Sequence, residues 1–137
     1  MKPQRVNLAR VDNVEELAGR ILETRIAEAR ALGNGLDGRD KQRLHDFRIA
    51  CKRLRYALER FASLNPSLGE LADKLASLQD ALGEAHDRDV LLTILPPTMP
   101  STEQRLMRDR EACVDRAVAL WEAVEQLMQA LTLIGSQ

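Results

Sequence analysis

Aromatic residues make up 3% of this 137-residue sequence, which has only Phe47, Tyr56, Phe61 and Trp121. A surface that holds nucleic acid by base stacking is therefore not expected. Cysteine is as scarce. Cys51 and Cys113 are too few for a disulfide framework and lack the Cys-x-x-Cys spacing of a zinc site, so both read as small core hydrophobes. The two histidines, His45 and His86, lack a His-x-x-x-His or His-Glu-x-x-His spacing, and no metal is expected. His86 with Asp87, Arg88 and Asp89 reads as a polar network bracing the chain after Gly83. The strongest apolar run, Val90 to Leu95, is too short to cross a bilayer, and the start of the chain has no signal-like stretch. A cytoplasmic location follows. No glycine-rich phosphate loop, nucleophile elbow or Cys–His pairing is present, so neither an enzyme nor a cofactor is expected. Strand-like alternation, internal repeats and low-complexity tracts are missing too.

What is present is helical. At this length one domain, residues 1–137, is expected, because two separate cores would each be marginal. After an extension over 1–11, apolar spacing predicts helices at about 12–32, 39–63, 67–95 and 102–132. Asp12 or Asn13 is the expected cap of the first helix, with Glu15 or Glu16 in the capping-box position. Val14, Leu17, Ala18, Ile21, Leu22, Ala29 and Leu32 form its apolar side, and Gly33-Asn34-Gly35 its end. The second helix begins near Asp37 to Asp40. It repeats Leu44, Phe47, Cys51, Leu54, Leu58 and Phe61 at steps of three and four, the pattern of a bundle seam. Asn65-Pro66-Ser67 ends it, and Leu68, Leu71, Leu75, Leu78 and Leu82 continue the pattern in the third. Gly83 predicts a kink or break between two helical pieces. Pro96, Pro97 and Pro100 stop that helix, and Ser101 or Thr102 is the expected cap of the fourth. Leu106, Cys113, Ala117, Leu120, Val124, Leu127 and Leu131 make the fourth helix's apolar line, on which Arg110 is the one charged residue. The predicted fold is all-α, an antiparallel four-helix bundle with a kink or break near Gly83.

The net charge of −1 is unevenly spread. Between Arg39 and Arg60 there are eight Lys or Arg against three Asp or Glu, a local +5 that leaves −6 elsewhere. Residues about 100° apart around a helix bring Lys41, His45, Arg48, Lys52 and Arg55 onto one narrow face, closed by Glu59. This row lies about a quarter turn from the Leu44 to Phe61 seam, so it should line a groove beside the core. Arg39, Arg53 and Arg60 point elsewhere. Cations one turn apart repel by a few tenths of a kcal/mol per pair, roughly, and a ligand with repeated phosphates would relieve that. The competing reading pairs the row with acids of the third and fourth helices: Asp80, Asp87, Asp89, Glu103 or Asp109.

Two stretches carry a family resemblance. His45-Asp-Phe-Arg-Ile-Ala-Cys-Lys-Arg-Leu-Arg-Tyr56, continued by Leu58-Glu-Arg-Phe61, resembles the signature helix of the CHAD (conserved histidine α-helical domain) family. Leu78-Gln-Asp-Ala-Leu-Gly83, followed by Asp87 and Val90, is similar to that family's second segment. The resemblance implies an all-helical fold whose basic surface binds inorganic polyphosphate without catalysis, often beside a triphosphate-processing domain or partner, with some members on polyphosphate or storage granules. It makes His45, Arg48, Lys52 and Arg55 candidate phosphate contacts; Lys41 joins them from geometry alone. Arg53, Tyr56, Asp80 and Asp87 take supporting places, with Tyr56 packing or donating a hydrogen bond and the two acids orienting arginines of the row. Complete members resemble two four-helix halves, whereas this chain carries the motif once and most resembles the second half. A homodimer with two rows about a shared channel is the expected repair.

Two other functions stay open beside polyphosphate binding. One is a helical module that docks a protein partner. The other is sequence-blind binding to a nucleic-acid backbone, which would be steeply salt-sensitive and which the −6 elsewhere opposes.

Overall fold

The computed structural model describes residues 2–33, 36 and 39–135. Four helices follow one another: α1 (Val14–Gly33), α2 (Lys41–Arg60), α3 (Pro66–Ile94) and α4 (Pro100–Gly135), with a 3-10 turn at Ala62–Leu64. No strand occurs among the described residues. The expected ending at Asn34-Gly35 and the start near Asp37 fall outside them.

Local chemistry sets the boundaries. Asn13 caps α1 by accepting from the Glu16 N–H at 2.8 Å, and the Glu16 carboxylate reaches back to the Asp12 N–H at 3.2 Å. Asp40 caps α2 from an extended conformation and accepts from the Arg43 N–H, so the helix starts at Lys41, two residues after the predicted 39. Asn65 caps α3 with Pro66 at the first helical position. The fourth helix differs from expectation: Ser101 and Thr102 lie inside it, because Pro100 enters the helix first and the Glu103 N–H bonds to the Met99 carbonyl at 3.0 Å. α3 also differs, since it runs through Gly83 as one continuous helix rather than two pieces.

Cross-helix contacts define an up-down-up-down bundle. His45 faces His86 across α2 and α3, Asp89 meets Arg110 across α3 and α4, and Arg30 pairs with Glu125 across α1 and α4 at 3.2 Å. A second contact in each pair runs in reverse order, Arg48 against Gly83, Glu84 with Arg116 and Gly33 against Trp121, the mark of antiparallel neighbours. The core takes Leu44, Phe47, Cys51, Leu54, Leu58 and Phe61 from α2 as the spacing predicts, and Leu71, Leu75, Leu78 and Leu82 from α3. Each fully buried large side chain contributes roughly 1.5–3 kcal/mol. On α4 the buried line is Cys113, Val114, Ala117, Trp121, Val124 and Met128, while Leu120, Leu127 and Leu131 flank it half-buried. Two adjacent apolar lines run along this helix, and packing on α3 chose the one with the larger central residues. Val14 is 54% exposed instead of inward, being two turns short of Ile21, the α1 residue that meets the end of α2.

α1 carries a buried acid. Glu28 accepts from the Gln4 N–H at 3.0 Å and pairs with Arg25, whose guanidinium also holds the Gln4 carbonyl; Arg20 holds that of Asn7. The N-terminal extension is thereby strapped along α1. Both thiols are buried, and desolvation raises their pKa values, so they behave as inert core groups.

Trp121 joins three helices. Its ring meets Phe47 edge-on at 5.0 Å, and a Cβ added at Gly33 would lie 2.6 Å from its indole. Gly33→Ala should destabilise the fold by roughly 1–3 kcal/mol through overpacking. Gly19→Ala, in open space in mid-helix, should stabilise it by roughly 0.5–1 kcal/mol. Urea denaturation of the two variants checks both signs; equal midpoints would refute this account of Gly33.

Candidate functional site: the basic face of α2

The row sits where helix geometry puts it, beside the groove between α2 and α3. Lys41 and Lys52 are exposed, while His45, Arg48 and Arg55 are half-buried. Because α2 and α3 form a hairpin about Asn65-Pro66, residues equally far from that turn face each other. His45 and His86 stand with ring centroids 5.8 Å apart. One turn along, Arg48 lies over Gly83, where an added Cβ would be 3.7 Å from its Nε and Nη2. The glycine therefore gives the guanidinium a flat place on α3. The Arg48 Nε is buried without a hydrogen-bond partner.

At the other end of the row, Tyr56 is half exposed and flanked by the two cations. The Lys52 Nζ is 5.7 Å and the Arg55 Cζ 5.1 Å from its ring centroid, so it acts as a cation-contacting face rather than a packed residue. Arg55 also pairs with Glu59 through Nε at 3.4 Å. Arg53 is half-buried and held by interactions of its own. Near Lys41 the groove widens to a cavity of about 350 Å³ lined also by Gln42, His45, His86, Asp89, Val90 and Thr93.

Four acids of α3 and α4 near the groove have other partners. Asp89 binds Arg110 at 2.6 Å, Glu84 binds Arg116 at 2.6 Å, and Glu111 and Asp115 hold Arg39. The hydrogen bond and charge of Arg116 hold the Glu84 carboxyl below its ordinary range, and the hydrogen bond that Arg39 donates to Asp115 raises the pKa of Arg39. Among the described residues no ion pair joins Lys41, His45, Arg48 or Lys52 to a carboxylate. Asp80 and Asp87 are exposed and make no hydrogen bond or ion pair to the row; the charge of Asp80 acts on Arg116 instead. The polar cluster expected after Gly83 also separates: His86 turns to His45, Arg88 donates to the Glu84 carbonyl at 3.3 Å, and Asp89 turns to α4.

A family model described as the CHAD domain matches residues 2–96. The chain belongs to the CHAD domain family. No curated protein and no solved structure matches it. The matched CHAD segment holds α1, α2 and α3 together with both motifs, so the groove lies wholly inside it. α4 lies outside the match, yet it fills the core and positions the groove's end through Arg110. That guanidinium binds Asp89 of α3 and donates to the Arg39 carbonyl, just before α2, at 2.8 Å.

Two residues of this CHAD site escaped sequence reading. His86 joins the groove, and the hairpin's equal spacing about Asn65-Pro66 was the available signal. Arg110 anchors it, and its place on an apolar line was the sign. Arg110 and Asp89 are only 11% and 10% exposed. Arg110→Ala should therefore cost roughly 3–5 kcal/mol by stranding a carboxylate. Guanidinium unfolding tests this; a loss under about 1 kcal/mol, the value of a surface pair, would contradict it.

Proposed function

We propose that this chain binds inorganic polyphosphate, or a similar linear polyanion, along the basic face of α2 and catalyses nothing. The observation that carries the reading is the uncompensated row. Four side chains from Lys41 to Lys52 have no carboxylate paired to them, while Glu84, Asp89, Glu111 and Asp115 are engaged elsewhere. From Lys41 to Arg55 the row spans about 21 Å of helix at ~1.5 Å per residue. A ligand with a charge on every repeat can meet all of it, whereas a small anion meets one turn. Arg48, with a desolvated and unpartnered Nε, stands to gain most from a phosphate oxygen.

Backbone binding to nucleic acid is the weaker rival. Phe47, Phe61 and Trp121 are buried, and Tyr56 already lies beside two cations, which leaves little for bases to stack on. Docking of a protein partner is the second reading, favoured by exposed Val90, Ile94 and Met107 near the α3–α4 turn. The single motif copy supports a homodimer with two rows about one channel, and the family resemblance supports a triphosphate-processing partner and granule association. No helix among the described residues is long and apolar enough to cross a membrane.

Titration calorimetry with long-chain polyphosphate at two salt concentrations, beside duplex DNA, tests the reading. Binding should be micromolar or tighter, prefer polyphosphate and weaken with salt. Lys52→Ala/Arg55→Ala, at positions that contribute little to the core, should weaken it at least tenfold, about 1.4 kcal/mol. No heat from the wild type would sink the proposal, and a variant binding as tightly as wild type would move the site off this face.

A further inference from the structure

The groove holds two imidazoles, and the row on α2 accounts for one. His86 comes from α3, is exposed, and faces His45 at 5.8 Å with the rings tilted by 36°. Both line the cavity of about 350 Å³ that opens beside Lys41. On α2 the charged groups facing the pair are Lys41 and Arg48; on α3 the one carboxylate lining the groove is Asp89, and its oxygen is taken by Arg110 of α4. Asp87, next to His86 in the chain, is exposed and does not line the cavity. No group of three metal-ligating side chains forms among the described residues.

This arrangement makes the charge state of the pair depend on what occupies the groove. The two rings share the groove with the cations Lys41 and Arg48, and the one carboxylate lining it is bound to Arg110. A polyphosphate strand laid between α2 and α3 brings the missing negative charge, and each protonated ring then offers an N–H donor to a phosphate oxygen. Imidazole is the side chain that changes charge near neutral pH, so the exchange falls in an accessible range.

We propose that His86 forms the second wall of the anion site and that binding draws a proton onto the His45–His86 pair, so the groove grips polyphosphate more tightly as pH falls from about 8 to about 6. The inference rests on the polyphosphate reading and adds its regulation. The sign follows from linkage: the bound state takes the proton more readily than the free state. Affinity therefore rises while the free rings are neutral and levels off once they are already charged. One fully coupled proton changes affinity about tenfold per pH unit.

Calorimetric titration of the full chain with long-chain polyphosphate at pH 8, 7 and 6, each in two buffers of different ionisation enthalpy, counts the protons taken up. Long chains keep the titratable end phosphates few, and a His86→Asn variant subtracts them. Wild type should take up about half a proton near pH 7 and bind roughly tenfold tighter at pH 6 than at pH 8. His86→Asn, on an exposed side chain, should bind more weakly than wild type at pH 6 and lose most of the pH dependence and the uptake. Lys52→Ala/Arg55→Ala should bind weakly throughout while keeping the uptake. Equal affinity at pH 8 and 6 with no buffer-dependent heat would overturn the coupling and leave polyphosphate binding intact. Unchanged uptake in His86→Asn would remove His86 from the site. No binding at any pH would end both readings together.

Discussion

The guanidinium of Arg110 ties the start of α2 to the rest of the bundle. The backbone at Arg39 is left-handed, with φ of 53°, a conformation a side-chain-bearing residue adopts at a cost of roughly 1–2 kcal/mol. Its carbonyl accepts from Arg110, and its own guanidinium reaches Glu111 and Asp115 one turn apart on α4. Arg110 at the same time neutralises Asp89 on α3. One buried cation thus sets the direction from which the chain enters α2, and with it the angle at which Lys41 and His45 face the groove. An apolar residue at position 110 would fill the space but leave two acceptors without partners.

The same network explains how a chain with slightly more acid than base carries a basic face. Four acids of α3 and α4, Glu84, Asp89, Glu111 and Asp115, are bound to Arg39, Arg110 and Arg116, none of which belongs to the row. Lys41, His45 and Arg48 are left lining one groove, with Lys52 exposed further along the row. The partition works because α3 turns its small residues towards α2. Gly83 opposite Arg48 and Ala85 beside His45 let the row lie close without meeting a carboxylate. CHAD membership and the positive row are thus joined by the packing of one hairpin.

Much of this was legible in one dimension. The α2 seam from Leu44 to Phe61 is buried as its three-four spacing requires, and the stripe from Lys41 to Arg55 lies a quarter turn away, because helical periodicity is a local property and α2 has a single apolar line. The fourth helix was less legible for the opposite reason: with Leu120 and Leu127 beside Val114, Trp121, Val124 and Met128, two lines compete, and only contact with α3 and Phe47 separates them. Glu28 was opaque because its partner, the Gln4 backbone, is 24 residues away.

The sequence by itself determined the helices, their caps at Asn13 and Asn65, the all-α class, the family motifs and the face on which the cations gather, since each depends on neighbours within a turn or two. Tertiary structure decided what those cations meet. The role of Gly83 as a bed for Arg48 rather than an interruption, the meeting of His86 with His45, and the capture of Asp89 by Arg110 all join residues on different helices. Such pairings depend on the register and packing of a closed bundle, which no single helix specifies.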